Sequence, residues 1–364
     1  MNGLKIGNLT ARIPVIQGGM GVGISLSGLA SAVANEGGVG VISCAGLGLI
    51  YREKARSYME SCIVGLKEEI RKTKEKTSGI VGVNIMMALT NFSDMVKTAI
   101  AEKADVIFAG AGLPLDLPKY LTPGSVTKLV PIVSSARAAK IICEKWKTNY
   151  DYLPDLIVVE GPKAGGHLGF KQNQIADTNY SIENLVPDVV REVAFFEEKY
   201  SQEIPVVAAG GIYDGQNMYE IMQLGAKGVQ IASRFVTTDE CDADIKFKNS
   251  YIKAGENDVE IIQSPVGMPG RALQGKFLER VKQGLTKPKS CPYNCLHTCD
   301  YKKVPYCIIL SLYNAYKGKM DKGYAFAGSN AYLSDRISTV KEVMTDLMQK
   351  FENAKAEALL RLAK

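Results

Sequence analysis

Eight short apolar runs, most of them followed by a helical pattern, leave this chain few folds to choose from. The runs are Ile13–Gln17, Val39–Ser43, Ile80–Met86, Val106–Ala109, Leu129–Val133, Leu156–Glu160, Pro205–Ala209 and Gly228–Ile231. Each reads as a buried strand. Helical periodicity fills Leu26–Asn35, Arg52–Lys72, Asp94–Lys103, Ala136–Lys145, Ile182–Tyr200 and Gln216–Leu224. Only the stretch from Gly110 to Lys128 is weak in helical signal. Eight β/α units predict an α/β fold of the TIM (β/α)8 barrel type. A doubly wound sheet is the structural alternative. It should carry Gly-x-Gly-x-x-Gly after its first strand, and Gly18-Gly-Met-Gly-Val-Gly23 lacks that spacing.

Past the eighth run the pattern changes. Residues from about Thr237 to Lys322 read as irregular, polar and rich in cysteine, proline and lysine. Ser338–Lys364 returns to helical spacing through Val340, Val343, Leu347, Phe351, Leu359 and Leu360. The expected division is a barrel over 1–236, a cysteine-rich insertion after strand eight over 237–336, and a C-terminal helix over 337–364. That helix would close the barrel or pack in a homodimer. No run approaches the roughly 18–20 apolar residues of a membrane span. The N-terminus lacks the basic and apolar segments of a signal peptide, so a cytoplasmic protein is expected. Net charge is +6, but the cations are interspersed with acids and form no basic stripe with aromatics. Nucleic-acid binding is therefore not expected, and a mild preference for anionic ligands is.

The chemistry should lie at the C-terminal ends of the strands. Leu156–Glu160 runs into Glu160-Gly-Pro-Lys163-Ala-Gly165-Gly166-His167-Leu-Gly169, which presents one of only two histidines in the chain. A loop histidine at a strand end is either a turn cap or an active-site base, and its position favours the second. Ala208-Ala-Gly210-Gly211-Ile212 and Gly228-Val-Gln230-Ile-Ala232-Ser233-Arg234-Phe235 occupy the places of strands seven and eight. Loops there often bind phosphate: glycines expose backbone N–H groups, Ser233 adds a hydroxyl and Arg234 adds charge. The plainer reading is two tight turns with Arg234 on the surface. Gln17-Gly18-Gly19-Met20-Gly21 ends strand one, and Asn84 places an amide in the apolar strand Gly82–Met86. A buried amide needs partners, and at a strand end a ligand can supply them. Several glycine-rich strand ends around one mouth suit a large planar ligand.

These motifs together resemble the nitronate monooxygenase family, formerly called 2-nitropropane dioxygenases. They resemble equally the FMN-dependent enoyl-acyl-carrier-protein reductases that share its fold. The matching stretches are Gln17–Met20, Gly82–Asn84, Gly110–Pro114, Glu160–Gly169, Ala208–Ile212 and Gly228–Phe235. The resemblance implies an FMN-containing barrel, with Gly210, Gly211, Gln230 and Ser233 at the phosphate and Gly18, Gly19, Met20 and Asn84 around the ring. His167 matches the active-site histidine. Glu160, Lys163, Gly165, Gly166, Ala232 and Arg234 complete the expected cofactor set. The family's usual Gly-Thr-Arg-Phe stands here as Ala232-Ser-Arg-Phe235, which keeps the hydroxyl and adds a methyl. The family's typical members lack the cysteine-rich insertion.

Under the nitronate reading, FMN and dioxygen convert an alkyl nitronate to a carbonyl compound and nitrite, with His167 as base or hydrogen-bond partner. Under the enoyl-thioester reading, NAD(P)H reduces FMN and the substrate arrives on an acyl carrier protein; Ser264–Arg271 would line its channel or form a plain turn. A flavin and iron–sulfur electron-transfer protein is a third reading, motivated by the cysteines. Cys291, Cys295, Cys299 and Cys307 are separated by three, three and seven residues. Four thiolates in so short a stretch suit a [4Fe–4S] cluster ahead of zinc, with no metal the remaining alternative.

Overall fold

The computed structural model of the chain describes residues 3–362. Eight parallel strands close into a barrel: β1 (Val15–Gln17), β2 (Val39–Ser43), β3 (Ile80–Met86), β4 (Val106–Gly110), β5 (Lys128–Val133), β6 (Ile157–Glu160), β7 (Val206–Ala209) and β8 (Gly228–Ile231). Each pairs with its sequence neighbour, and β8 closes onto β1 through Gln230 opposite Ile16. This is the (β/α)8 architecture that the alternation of runs and helices predicts. Strand bounds agree with the sequence reading to within two residues.

The helices follow the expected order: α1 (Ser27–Asn35), α2 (Tyr58–Lys76), α3 (Phe92–Ala101), α4 (Ala136–Tyr150), α5 (Ile182–Tyr200) and α6 (Gly215–Gln223). Helix α2 starts later than the sequence suggests because Ser57 and Glu60 form a capping box, each side chain accepting from the other's backbone N–H. The weak stretch between β4 and β5 holds only a 3-10 turn, Leu117–Tyr120.

Two apolar layers result. Val39, Val41, Val106, Phe108, Val130, Val158 and Val207 fill the barrel interior. Leu4, Ile6 and Ala11 of an N-terminal hairpin plug its lower end, where Gly7 lies against Asp155 and Lys128 at the strand starts. The opposite end is left open for ligands. The second layer lies between strands and helices and contains Leu29, Leu66, Met95, Ile142 and Val189.

The region after β8 is more ordered than its composition suggests. It holds a helix over Ile245–Ile252, an antiparallel pair Val259–Gln263 and Pro269–Leu273, and helices Lys276–Lys282 and α7 (Ile308–Tyr316). Proline and glycine in the second strand hide it from a propensity reading. It forms because Gly270 and Arg271 pair with His167 and Gly166, a long-range contact. The final helix, α8 (Val340–Leu362), lies along α6 with Leu347 and Phe351 buried. Its backbone comes so close that a Cβ on Gly215 would stand 2.0 Å from the Leu347 carbonyl oxygen. Leu359 and Leu360, counted on the apolar stripe in sequence, are instead exposed. Among the described residues, no helix is long and apolar enough to cross a membrane.

Candidate active site

The open end of the barrel holds two joined cavities. The larger, ≈ 210 Å³, is floored by the ends of β1, β3, β6 and β8. The smaller, ≈ 70 Å³, lies between the ends of β6, β7 and β8. Glu160, Gly165, Gln230, Ala232 and Ser233 line both, so the two are one elongated site.

Its floor is made by backbone that approaches too closely for side chains. A Cβ on Gly19 would fall 2.3 Å from the Cβ of Asn84. The end of β1 therefore lies flat against β3, and Gly18, Gly19, Met20 and Asn84 share one wall. At the end of β7 the chain turns through Gly210 and Gly211, both at positive φ, which other residues adopt at a cost. The stem of Lys163 lies beside Gly211, where a Cβ would meet its Cδ at 2.9 Å. Ser233 Oγ accepts the Gly328 N–H at 2.9 Å, and its own proton remains free to donate. Asn330 Nδ2 donates to the Gly211 carbonyl at 2.8 Å, fixing that turn from outside the barrel.

His167 sits at the rim of the larger cavity. It is held as a strand residue opposite Gly270, and its ring edge meets Phe326 at 4.9 Å between centroids. Its Nε2 is 2.7 Å from Ser264 Oγ. Burial pushes its pKa down to about 4, so the ring is neutral at pH 7. Burial pushes Glu160 the other way, up to about 7. Tyr251, Phe247, Leu312 and Phe326 roof the cavity with apolar surface.

The structure thus gathers Gly18, Gly19, Met20, Asn84, Glu160, Gly165, Gly166, His167, Gln230, Ala232 and Ser233 around the larger cavity. Lys163, Gly210 and Gly211 join the smaller one. Arg234 lines neither, which corrects the expectation that it supplies charge to a phosphate. Its guanidinium donates to the Tyr213 carbonyl, stacks over the Tyr213 ring and pairs with Asp346 of α8. The ion partner on the C-terminal helix draws it away, and the local sequence does not show that partner. Cys291, Cys295, Cys299 and Cys307 lie outside both cavities. Among the described residues no three His, Cys, Asp or Glu side chains converge to hold a single metal ion.

Sequence reasoning did not find Ser264 as the histidine's partner. It noted the Ser264–Arg271 stretch as channel or turn; residues 264–268 form the turn, Pro269–Arg271 begins the second strand, and the turn carries the hydroxyl to His167. Asn330 and Gly328 were also missed, although Gly328-Ser-Asn330 is a loop signal.

Comparison with known proteins follows the same outline. The nitronate monooxygenase family model matches residues 2–350. A probable nitronate monooxygenase of Staphylococcus haemolyticus is 26% identical over 76% of this chain and 79% of its own length. A (3aS,4S,5R,7aS)-5-hydroxy-7a-methyl-1-oxo-octahydro-1H-indene-4-carboxyl-CoA dehydrogenase of Mycobacterium tuberculosis is 29% identical over 74% of this chain. The match spans 66% of that relative, just under two thirds of its length. Among solved structures, FabK from Thermotoga maritima superposes with a TM-score of 0.72 at 28% identity, covering 96% of both chains.

Proposed function

The chain belongs to the nitronate monooxygenase family of flavin-dependent oxidoreductases, and from that premise we propose that it uses FMN and dioxygen to oxidise alkyl nitronates to carbonyl compounds and nitrite. The observation that carries this reading is a neutral histidine, bonded to Ser264, at the rim of a small apolar-roofed cavity.

The cradle fits FMN. The larger cavity offers a flat glycine floor for a ring, where any side chain at position 19 would collide with Asn84. The smaller offers what a phosphate needs: the glycine pair at positive φ, the Ser233 hydroxyl and the Lys163 ammonium. Bound there, FMN would supply the redox chemistry. The protein's own residues orient and protect. Tyr251, Leu312 and Phe326 exclude water from the face of the cavity. Ser264 fixes the tilt of the His167 ring. His167, uncharged at neutral pH, can accept a proton from the carbon next to a nitro group, or donate a hydrogen bond to a nitronate oxygen. The limited apolar space beside it suits a small substrate better than a long acyl chain.

A second reading is reduction of an enoyl thioester at the expense of NAD(P)H. It is favoured by the likeness to FabK along nearly the whole chain and by the acyl-CoA relative. An acyl carrier protein would then be the partner. Anaerobic visible spectra separate the two. Bleaching of the flavin by an alkyl nitronate, with none on adding NADH or NADPH, supports the first. Bleaching by a nicotinamide followed by reoxidation with an enoyl thioester would overturn it in favour of the second.

A further inference from the structure

The net charge of the chain sits in one segment of the insertion. Residues 276–322 carry ten lysines and arginines against three acids. The whole chain has 44 against 38, so the rest, at 34 against 35, is nearly neutral. Among the described residues, only Lys282 and Lys303 of these ten pair with an acid. The segment folds around a cavity of ≈ 330 Å³, larger than the ≈ 210 Å³ one at the barrel mouth. Long-range bonds set its walls. The Thr286 hydroxyl donates to the Pro305 carbonyl at 3.0 Å, and Asn314 Nδ2 donates to the Lys322 carbonyl at 3.3 Å. Arg280 reaches the Asp321 carbonyl at 3.4 Å, which brings a further cation to the Lys322 side.

From this arrangement we propose that the cavity binds an adenine nucleotide. Its lining is of two kinds. Phe277, Tyr293, Tyr306 and Leu310 give it an apolar, largely aromatic wall. Lys289, Lys322 and the Ser290 hydroxyl also line it, and among the described residues none of the three has a side-chain partner. No lining residue is acidic. Aromatic surface suits a purine ring, which stacks on it through its π-face. Unpaired ammonium groups suit phosphate oxygens. Inorganic phosphate would leave the aromatic wall bare, and a purely apolar ligand would leave the lysines unpaired. The volume lies at the low end of the roughly 300–1,000 Å³ of small-ligand sites, which suits one nucleotide rather than two.

Helix α7 stands between this cavity and the barrel mouth. Its Leu310, Ser311 and Asn314 line the one, and its Leu312 lines the other. Free nucleotides, nicotinamide cofactors and coenzyme A esters share the adenosine phosphate that the cavity fits. The site is separate from the nitronate reading and uses none of its chemistry.

The FMN-loaded full chain is titrated calorimetrically with ADP, adenosine and pyrophosphate, and then with NADP⁺ and coenzyme A. ADP should bind more tightly than adenosine or pyrophosphate, and less tightly as salt rises. The double variant Lys289→Gln, Lys322→Gln should lose about tenfold or more in ADP affinity, the scale of two charge-assisted contacts. Tyr293→Ala should lose roughly fivefold or more, the scale of one base–aromatic stack. Unchanged flavin content in each variant reports the fold. Lys302→Gln, outside the cavity, should bind ADP as the native chain does. NADP⁺ or coenzyme A binding more tightly than ADP, and weakened by the same variants, names the source of the nucleotide; equal affinity for all three assigns the site to free nucleotide. No ADP binding at about 1 mM, pyrophosphate as tight as ADP, or an affinity unchanged in the double variant would overturn the proposal. Binding is read as heat without turnover, so failure here is distinct from failure of the nitronate reading.

Discussion

The mouth of the barrel and the insertion that roofs it are built on opposite terms. At the mouth, each site residue follows directly from a strand whose neighbours fix it on both sides. Gly19 has no room to move against Asn84, and Gly210 and Gly211 turn where β7 ends. In the insertion, Ser264 and Phe326 reach the site through a turn and an isolated bridge, and Leu312 from α7, held by contacts far away in the chain. The strand ends therefore supply most of the cradle, which Gly328 and Asn330 close at the β7 turn, and the insertion supplies the hydroxyl beside His167. Cofactor binding should be insensitive to Ser264 and its turn, and turnover should not.

The largest effect that tests this division is at the floor. Gly19→Val forces a branched side chain into space already filled by Asn84. The protein should fold around its intact strands yet purify without FMN, checked by its visible spectrum and circular dichroism. Normal flavin content in this variant would break the assignment of the floor.

Next is the rim. His167→Ala should lower turnover about 10²- to 10⁴-fold, the range for a general acid–base group, while FMN stays bound. Burial also sets a pH signature. Folded His167 remains neutral until about pH 4, whereas the unfolded chain takes up the proton near the ordinary histidine value of 6.5. Stability from this group is complete above 6.5 and is lost as pH falls toward 4. Glu160 runs the other way: raised to about 7 by burial, it contributes fully below 4.5 and loses its contribution as pH rises through 7. Thermal unfolding of flavin-free protein from pH 7 to pH 4 should show the acid-side decline in the native chain and a shallower one in His167→Ala. In the holoenzyme, the acid limb of kcat/KM should lie well below 6.5.

Ser264→Ala carries the comparison into the insertion. Losing one hydrogen bond to the histidine should cost turnover about tenfold, about 1.4 kcal/mol, with flavin affinity unchanged. Ser264→Thr, which keeps the hydroxyl, should recover most of it. Equal loss in both variants would mean that the turn, and not the hydroxyl, matters.

The same division explains what could be read from the sequence. The barrel, its strand bounds, the glycine floor and the position of His167 were legible because strand and turn chemistry are local. Ser264 and Asn330 were not, because a hydroxyl in a turn acquires its meaning only from the residue it meets. Composition misled for the insertion: Pro269 and Gly270 look like a break, yet their strand forms by pairing with Gly166–His167. Arg234 was misjudged for a related reason. It follows the phosphate-binding pattern of β8, but its partner, Asp346, lies more than a hundred residues away.

Arg234 and Lys163 give the finest test, because both are cations near the phosphate end of the cradle. The Arg234 side chain is 13% exposed and engaged with Asp346, which Lys350 also approaches at 3.1 Å. Burial raises the Asp346 pKa, but its bonds with the two cations outweigh burial and hold the carboxyl below its ordinary value. Its share of stability is therefore present above pH 3.8 and fades as pH falls below that. Among the described residues Lys163 has no such ion partner, and it lies against Gly211. Lys163→Gln should weaken FMN binding about three- to tenfold, the scale of one charge-assisted contact. Arg234→Gln should leave FMN affinity within about twofold and instead cost roughly 1 kcal/mol of stability, as expected for a partly exposed pair. Fluorescence titration of flavin-free protein with FMN measures the first quantity and denaturant unfolding the second. A reversed order, with Arg234→Gln losing the flavin and Lys163→Gln keeping it, would return the phosphate to the arginine and show that α8 releases it when the cofactor arrives.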